Sequence, residues 1–91
     1  MCMSDTIAVG VIRALTDRGL RVPQDISVTG FDGTEMTRFY IPSIATVRQP
    51  TDRIAQESVA LLHSMLEGEQ AQYLNVGYEV IMGESLAPLR Y

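Results

Sequence analysis

The sequence has few of the residues from which catalytic and metal centres are built. Its 91 residues include one cysteine, one histidine and no tryptophan. His63 has no second histidine or cysteine at metal-ligand spacing, and Cys2 has no base near it in the sequence. A single cysteine excludes an internal disulfide, which is typical of a reducing compartment. We therefore expect no metal, no cofactor, no enzymatic activity and a cytoplasmic location.

Lysine is also absent, and the net charge is −4. The basic residues are seven arginines scattered along the chain, at positions 13, 18, 21, 38, 48, 53 and 90. Binding to the phosphate backbone of DNA needs positive charge gathered on one face, so this segment by itself should not bind DNA. No apolar run approaches the roughly 18 residues that span a bilayer, and the N-terminus lacks a signal-peptide pattern. We expect no membrane partner.

Apolar periodicity near the N-terminus predicts a helix. Ser4 or Asp5 can cap it, and the apolar residues Ile7, Val11, Ala14 and Leu15 follow at helical spacing. Ala8, Val9 and Ile12 extend the apolar surface almost all the way round the first two turns. Such a helix should be covered on more than one side, and Gly19 should end it.

The rest of the chain alternates strands with one further helix. Strands are predicted over residues 26–31, 44–47 and 73–82, the last interrupted by Gly77. A second helix is predicted over residues 51–67, capped by Thr51 or Asp52 and closed by Gly68. The order helix–strand–strand–helix–strand indicates an α/β fold with a parallel sheet, but three strands and two helices are few for a doubly wound sheet.

Asp32 directly follows the first predicted strand. In open α/β sheets, ligands bind just beyond the carboxyl ends of the strands, and a carboxylate there can accept hydrogen bonds from neighbouring sugar hydroxyls. An aspartate ahead of Gly33 is also an ordinary turn former. These residues alone leave both interpretations open, with the turn slightly favoured.

Four motifs resemble parts of the sensor domains of LacI/GalR transcriptional repressors. Residues 19–32, GLRVPQDISVTGFD, are similar to the family pattern GL-x-VP-x-D-(I/V)-S-(V/L)-x-G-(F/Y)-D. Residues 42–50, PSIATVRQP, are similar to P-x-LTT-(I/V)-x-QP, and DTIAVG at 5–10 resembles a helix start in the family. The pair Glu84–Ser85 resembles the closing R-x-S. Ala45 departs from the usual TT pair, and Gly83 stands where the family often has a charged residue.

The resemblance implies a fragment of a type I periplasmic-binding-protein-like fold, in which two α/β lobes clamp a small molecule. By position, Asp32 should grip the hydroxyls of an effector, Ser4 should stand where many members use Asn, and Gln49 should lie near the pocket. The family's dimer-interface elements match the helix around Val9 and the loop at 34–40, with Glu35, Arg38, Phe39 and Tyr40. The implied partners are a sugar or sugar phosphate, a second copy of the chain, and DNA through a separate N-terminal domain.

The same resemblance implies that residues 1–91 are the C-terminal portion of the effector-binding and dimerisation domain. The helix-turn-helix head and most of both lobes would lie outside this segment, so we expect the isolated chain to associate or to fold poorly. The leading function is effector sensing in a repressor. A solute-binding protein for sugar transport shares the fold and is the alternative, while an enzyme has no catalytic constellation behind it. Some members of the family bind purines or act through a partner protein, so the effector is not fixed by the resemblance.

Overall fold

A computed structural model describes residues 1–88 and contains two helices, a 3-10 helix and two short strands. Helix α1 spans Asp5–Asp17, the 3-10 helix spans Glu35–Arg38, strand β1 spans Thr46–Arg48, helix α2 spans Thr51–Leu66 and strand β2 spans Glu79–Ile81. The chain divides into two compact units, one formed by Met1–Arg48 with the segment from Glu79 onward, the other by Gln49–Tyr78.

Helix α1 begins and ends where the sequence predicts. The Ser4 hydroxyl caps it by accepting a hydrogen bond from the Ile7 amide at 3.1 Å, which satisfies one of the unpaired N–H groups of the first turn. At the other end Gly19 adopts φ +79°, and the Leu20 amide bonds the Leu15 carbonyl at 3.0 Å. A glycine at positive φ ends a helix in this way at little steric cost.

The core of the first unit is small. Ala8, Val28 and Ile44 are buried, with Cys2, Val9, Ile12, Leu15 and Val22 packed partly against them. Ile7 and Val11 lie on the outer side of α1 and are 50% and 36% exposed. Apolar side chains thus lie on more than one side of α1, and the core-facing side differs from the first stripe that the spacing suggested. The covering of the outer side by a second body stays a prediction.

Residues 26–32 run extended beside β1 but form only two isolated parallel bridges, Thr29 with Ala45 and Asp32 with Arg48. Strand β1 pairs with β2 in antiparallel register, Val47 opposite Val80. This pairing differs from the parallel sheet that we expected. The two bridges from residues 29 and 32 are parallel, as expected, but the chain returns from the second unit so that β2 pairs antiparallel to β1. The strand predicted over residues 73–82 is correspondingly reduced to Glu79–Ile81.

Helix α2 makes up most of the second unit and has no buried residue. Its N-cap is Pro50, which makes no side-chain capping bond, so the predicted cap at Thr51 or Asp52 is wrong. Thr51 is already the first helical residue, and Asp52 lies in the first turn, where a carboxylate favours the helix dipole. Gly68 adopts φ +96° just past the helix, as predicted. No helix within residues 1–88 is long and apolar enough to cross a membrane.

Candidate functional site

The turn at residues 32–34 is the most constrained backbone in the described part of the chain. Asp32 has φ +111°, and it is the one residue other than glycine with positive φ among residues 1–88. Gly33 follows at φ +75°, and a Cβ there would lie 2.4 Å from the Arg48 Cα. Non-glycine residues avoid this region because the side chain crowds the backbone, and such strain is concentrated at functional sites.

The three successive amides of this turn all donate hydrogen bonds to the scaffold. The Asp32 amide donates to the Val47 carbonyl at 3.0 Å. The Gly33 amide donates to the Thr46 hydroxyl at 3.2 Å, and the Thr34 amide donates to a carboxylate oxygen of Asp5 at 2.7 Å. A concave run of backbone N–H groups can bind an anion, but here each N–H is already used. These amides are therefore not available to an anion, and a ligand at the turn would have to bind the Asp32 side chain.

Asp5 is the residue that sequence reasoning missed. It is 1% exposed, and its carboxylate also accepts hydrogen bonds from the Thr34 hydroxyl at 2.9 Å and the Thr46 hydroxyl at 2.7 Å. A buried carboxylate needs such partners because desolvation is otherwise costly. Gly30 makes room for it, since a Cβ there would fall 2.4 Å from the Asp5 Oδ1. The sequence placed Asp5 only as a possible helix cap, and its partners at positions 34 and 46 lie too far along the chain for local patterns to find.

Ser85 holds together the two segments next to the turn, residues 26–32 and residues 44–48. It is fully buried, and its hydroxyl donates to the Val28 carbonyl at 2.5 Å and accepts from the Ala45 amide at 3.0 Å. It thereby joins the end of the chain to both segments that carry the turn. Gly83, two residues earlier, packs against the backbone of residues 43–45, and a Cβ there would lie 2.5 Å from the Ala45 nitrogen. This contact explains physically why no charged side chain stands at position 83.

The predicted effector residues fall in different places. Asp32 is half-buried in the strained turn. Ser4 is half-buried and caps α1, one residue before Asp5. Gln49 belongs to the second unit, where its carbonyl accepts a hydrogen bond from the Thr51 amide at 2.9 Å. Asp32 and Gln49 each take part in a further interaction within the chain. The contact of these three residues with an effector stays a prediction.

The predicted interface residues also separate. Glu35 and Arg38 lie on the exposed 3-10 helix, and Phe39 and Tyr40 follow it with 78% and 41% exposure. Val9 instead packs partly against the core. The outward apolar residues of α1 are Ile7 and Val11. The contact of the five predicted residues with a second copy of the chain stays a prediction.

A depression lies away from the turn. It encloses about 560 Å³ and is lined by Pro23, Gln24, Asp25, Ser27, Leu86, Ala87 and Pro88. Ser27 and Asp32 are five residues apart on an extended segment, which places them roughly 16 Å apart. The Arg21 amide donates to the Asp25 carboxylate at 2.7 Å, and this bond, with the Arg21 guanidinium, lowers the pKa of Asp25. The backbone strain at Asp32 and the buried carboxylate of Asp5 favour the turn over this depression as the effector site.

Within residues 1–88, no group of three or more histidine, cysteine or carboxylate side chains could hold a metal ion. The structure thus holds one carboxylate, Asp32, on a constrained turn, and supports that turn with the buried Thr46 hydroxyl and the buried Asp5 carboxylate. Such an arrangement can accept hydrogen bonds from a ligand.

Comparison with known proteins decides the family. The model of the periplasmic binding protein-like domain matches residues 1–86. The chain belongs to this family. Among curated relatives, this periplasmic binding protein-like chain is 50% identical over 64 residues to the HTH-type transcriptional regulator MalR of Clostridium butyricum, covering 70% of the chain and 19% of MalR. It is 39% identical over 88 residues to the HTH-type transcriptional repressor PurR of Pectobacterium carotovorum, covering 94% of the chain and 26% of PurR.

Solved structures agree. A LacI family regulator from Enterococcus faecalis, with bound ribose, matches with TM-score 0.86 and 28% identity, over 96% of this chain and 33% of that one. The lac repressor dimer bound to operator and an anti-inducer matches with TM-score 0.81 and 35% identity, over 93% and 30%. The resemblance to LacI/GalR regulators and the α/β fold are confirmed. The periplasmic binding protein-like chain spans about a fifth to a quarter of the two curated relatives.

Proposed function

We propose that this chain is part of the effector-sensing domain of a LacI/GalR-type transcriptional repressor, and that Asp32 binds hydroxyl groups of a sugar effector. The observation that carries the proposal is the Asp32 turn, where a non-glycine residue is held at φ +111° by hydrogen bonds from three successive amides. Strain of this kind costs about 1–3 kcal/mol and persists where the surrounding structure enforces it. A turn that only reversed the chain could use glycine at no such cost.

The chemistry of the turn favours a neutral sugar over a sugar phosphate at this position. An aspartate carboxylate accepts hydrogen bonds from hydroxyls, and its charge strengthens them. A phosphate group would need donors, and the amides of residues 32–34 donate to the scaffold instead. Ribose is bound in the similar regulator from Enterococcus faecalis, which supports a pentose-sized ligand as the first probe.

A nucleobase is the second candidate, because ring and amino N–H groups are also donors that a carboxylate accepts. The similarity to the repressor PurR supports testing it. The effector is the class of ligand, sugar or nucleobase, whose binding Asp32→Ala weakens.

The proposed mechanism is a shift between two arrangements of the sensing domain, one of which the effector favours. The shift would reach DNA through a separate DNA-binding region, since the arginines of this chain are scattered. A second copy of the chain would pack on Ile7, Val11, Phe39 and neighbouring exposed side chains, and the similar lac repressor is a dimer bound to operator. We place this regulator in the cytoplasm, where the DNA is.

A sugar-transport protein of the same fold remains the alternative. The relatives described above are named as regulators, which favours the repressor. Operator binding separates the two: a repressor should retain a DNA fragment from its own promoter in a gel-shift assay and release or tighten it with effector, whereas a transport protein should do neither.

The experiment that tests the proposal is calorimetric titration of the complete gene product with ribose, related pentoses, hexoses and nucleobases. Asp32→Ala should raise the dissociation constant at least about tenfold, because a hydrogen bond to a charged group contributes about 1.5–3 kcal/mol. Asp25→Ala is the matched control. Asp25 lines the depression away from the turn, so its replacement should leave the affinity for effector unchanged. Equal affinity of wild type and Asp32→Ala would remove Asp32 from the site, and weakening by Asp25→Ala alone would move the site to the depression.

A further inference from the structure

Asp5 lies between the two residues of the first unit that we expect to contact effector. Ser4 precedes it in the chain, and the turn of Asp32 is bonded to its carboxylate through Thr34. The Asp5 side chain is 1% exposed, so it cannot itself reach a ligand in solvent. Its position, however, determines where both neighbours are held.

The Asp5 carboxylate accepts hydrogen bonds from the turn and from β1. Oδ2 accepts from the amide and the hydroxyl of Thr34, at 2.7 and 2.9 Å. Oδ1 accepts from the Thr46 hydroxyl at 2.7 Å. That hydroxyl in turn accepts from the Gly33 amide at 3.2 Å. Two of the three turn amides therefore depend on Asp5, one directly and one through Thr46.

The packing around Asp5 leaves it little freedom to move. A Cβ at Gly30 would fall 2.4 Å from Oδ1 and 3.2 Å from the Asp5 Cα, so the backbone of residue 30 closes directly over it. Asp5 is also the first residue of α1, where unpaired amides favour a carboxylate. A rigid acceptor in this place can hold the turn at a conformation that Asp32 would otherwise leave.

We propose that Asp5 is a positioning residue for effector binding: its buried carboxylate fixes the turn of residues 32–34 and so sets the direction of the Asp32 side chain. This inference rests on the proposed role of Asp32. It predicts that Asp5 acts on affinity without touching the effector, through Thr34 on one side and through Thr46 on the other.

The test compares Asp5→Asn, Thr46→Val and Thr46→Ser in the complete gene product, by hydrogen exchange without effector and by titration with ribose. Asp5→Asn keeps the shape but turns an N–H₂ toward donors, and Thr46→Val removes the hydroxyl that Thr46→Ser retains. We expect exchange of the Gly33 and Thr34 amides to rise about tenfold or more in Asp5→Asn. Exchange at Gly33 should rise in Thr46→Val and return to the wild-type rate in Thr46→Ser.

The core amides of Val28 and Ser85, which bond Ser85 and Ser43 carbonyls at 2.9 Å, serve as the reference. A purely structural role for Asp5 would accelerate exchange at these amides together with the turn, and that result would overturn the proposal, as would unchanged exchange at Gly33 and Thr34. Ribose affinity should fall about tenfold in Asp5→Asn. If the wild type binds no ribose, the sugar assignment fails with this probe, while the exchange data still decide whether Asp5 positions the turn.

Discussion

Replacing Asp32 with glycine separates the backbone strain of the turn from the role of the carboxylate in effector binding. At φ +111° a side chain costs about 1–3 kcal/mol, whereas glycine adopts positive φ readily. Glycine also gains freedom in the unfolded chain, which offsets about 0.5–1 kcal/mol. Asp32→Gly loses any stabilising contact that the carboxylate makes within the chain. Asp32→Ala loses the same contact but keeps the strain, so the difference between the two variants isolates the backbone.

We expect Asp32→Gly to be more stable than Asp32→Ala by about 1 kcal/mol, measured as the free energy of unfolding in urea. Both variants should lose effector affinity to the same extent, because both lack the carboxylate. Unequal stability joined to an equal loss of affinity would assign the strain to the backbone at position 32 and the binding to the carboxylate. If Asp32→Ala is more stable than Asp32→Gly by about 0.5–1 kcal/mol, glycine's freedom in the unfolded chain accounts for the whole difference and the turn is not strained. If Asp32→Gly binds effector as wild type does, Asp32 only shapes the turn.

Three further changes test the packing around the site. Ser85→Ala leaves two buried backbone groups unpaired and should lower the free energy of unfolding in urea by about 2–4 kcal/mol. Ser27→Ala, which removes two exposed bonds to Ala87, should lower it by under about 0.5 kcal/mol. Equal losses would contradict the structural role of Ser85. Gly30→Ala should lower the unfolding midpoint, because its methyl group would collide with the Asp5 carboxylate. Gly10→Ala in α1, where a Cβ has nothing within 4 Å, should instead stabilise the chain by about 0.5–1 kcal/mol. An unchanged midpoint for Gly30→Ala would show that the backbone around Asp5 can move to make room. Hydrogen bonds from Arg21 lower the pKa of Asp25 from its ordinary value of 3.8. Ionised Asp25 therefore stabilises the folded chain above pH 3.8, and this stability is lost as the pH falls through the lowered pKa. The free energies of unfolding of wild type and Asp25→Asn should converge at low pH, and a constant difference across pH would exclude this linkage.

Local rules predicted both ends of α1 and the end of α2. The Ser4 cap, the glycine ends of both helices and the extended segment before Asp32 follow from residues within a few positions of each other. Motif spacing then added the family, which composition and periodicity could not supply. The same local rules failed at Pro50, because a residue that looks like a cap from its side chain was already inside the helix.

Long-range relations account for what the sequence did not predict. The antiparallel pairing of β1 with β2 depends on the segment Gln49–Tyr78 forming a unit of its own, which no local pattern records. The burial of Asp5 depends on residues 29 and 41 positions away. A carboxylate near a helix start is usually read as a cap, and only its contact with Gly30 shows that it is enclosed. Polar networks of this kind are specified by tertiary contact and not by propensity.

The exposed apolar surface of α2 leads to a prediction about the isolated chain. Val59, Leu62 and Leu66 are 69%, 57% and 78% exposed, and no residue of α2 is buried. An apolar face of this kind favours association, since contacts between copies remove it from water. We expect the 91-residue chain to sediment with a mass that rises between roughly 1 and 100 µM, as a protomer–oligomer equilibrium does. Leu62→Glu should reduce that rise, whereas Gln56→Glu, which adds the same charge on the same helix without removing an apolar side chain, should not. A compact monomer with a cooperative melt over this whole range would show that the two units are stable without a partner surface, and equal effects of the two variants would assign the association to charge rather than to the apolar face.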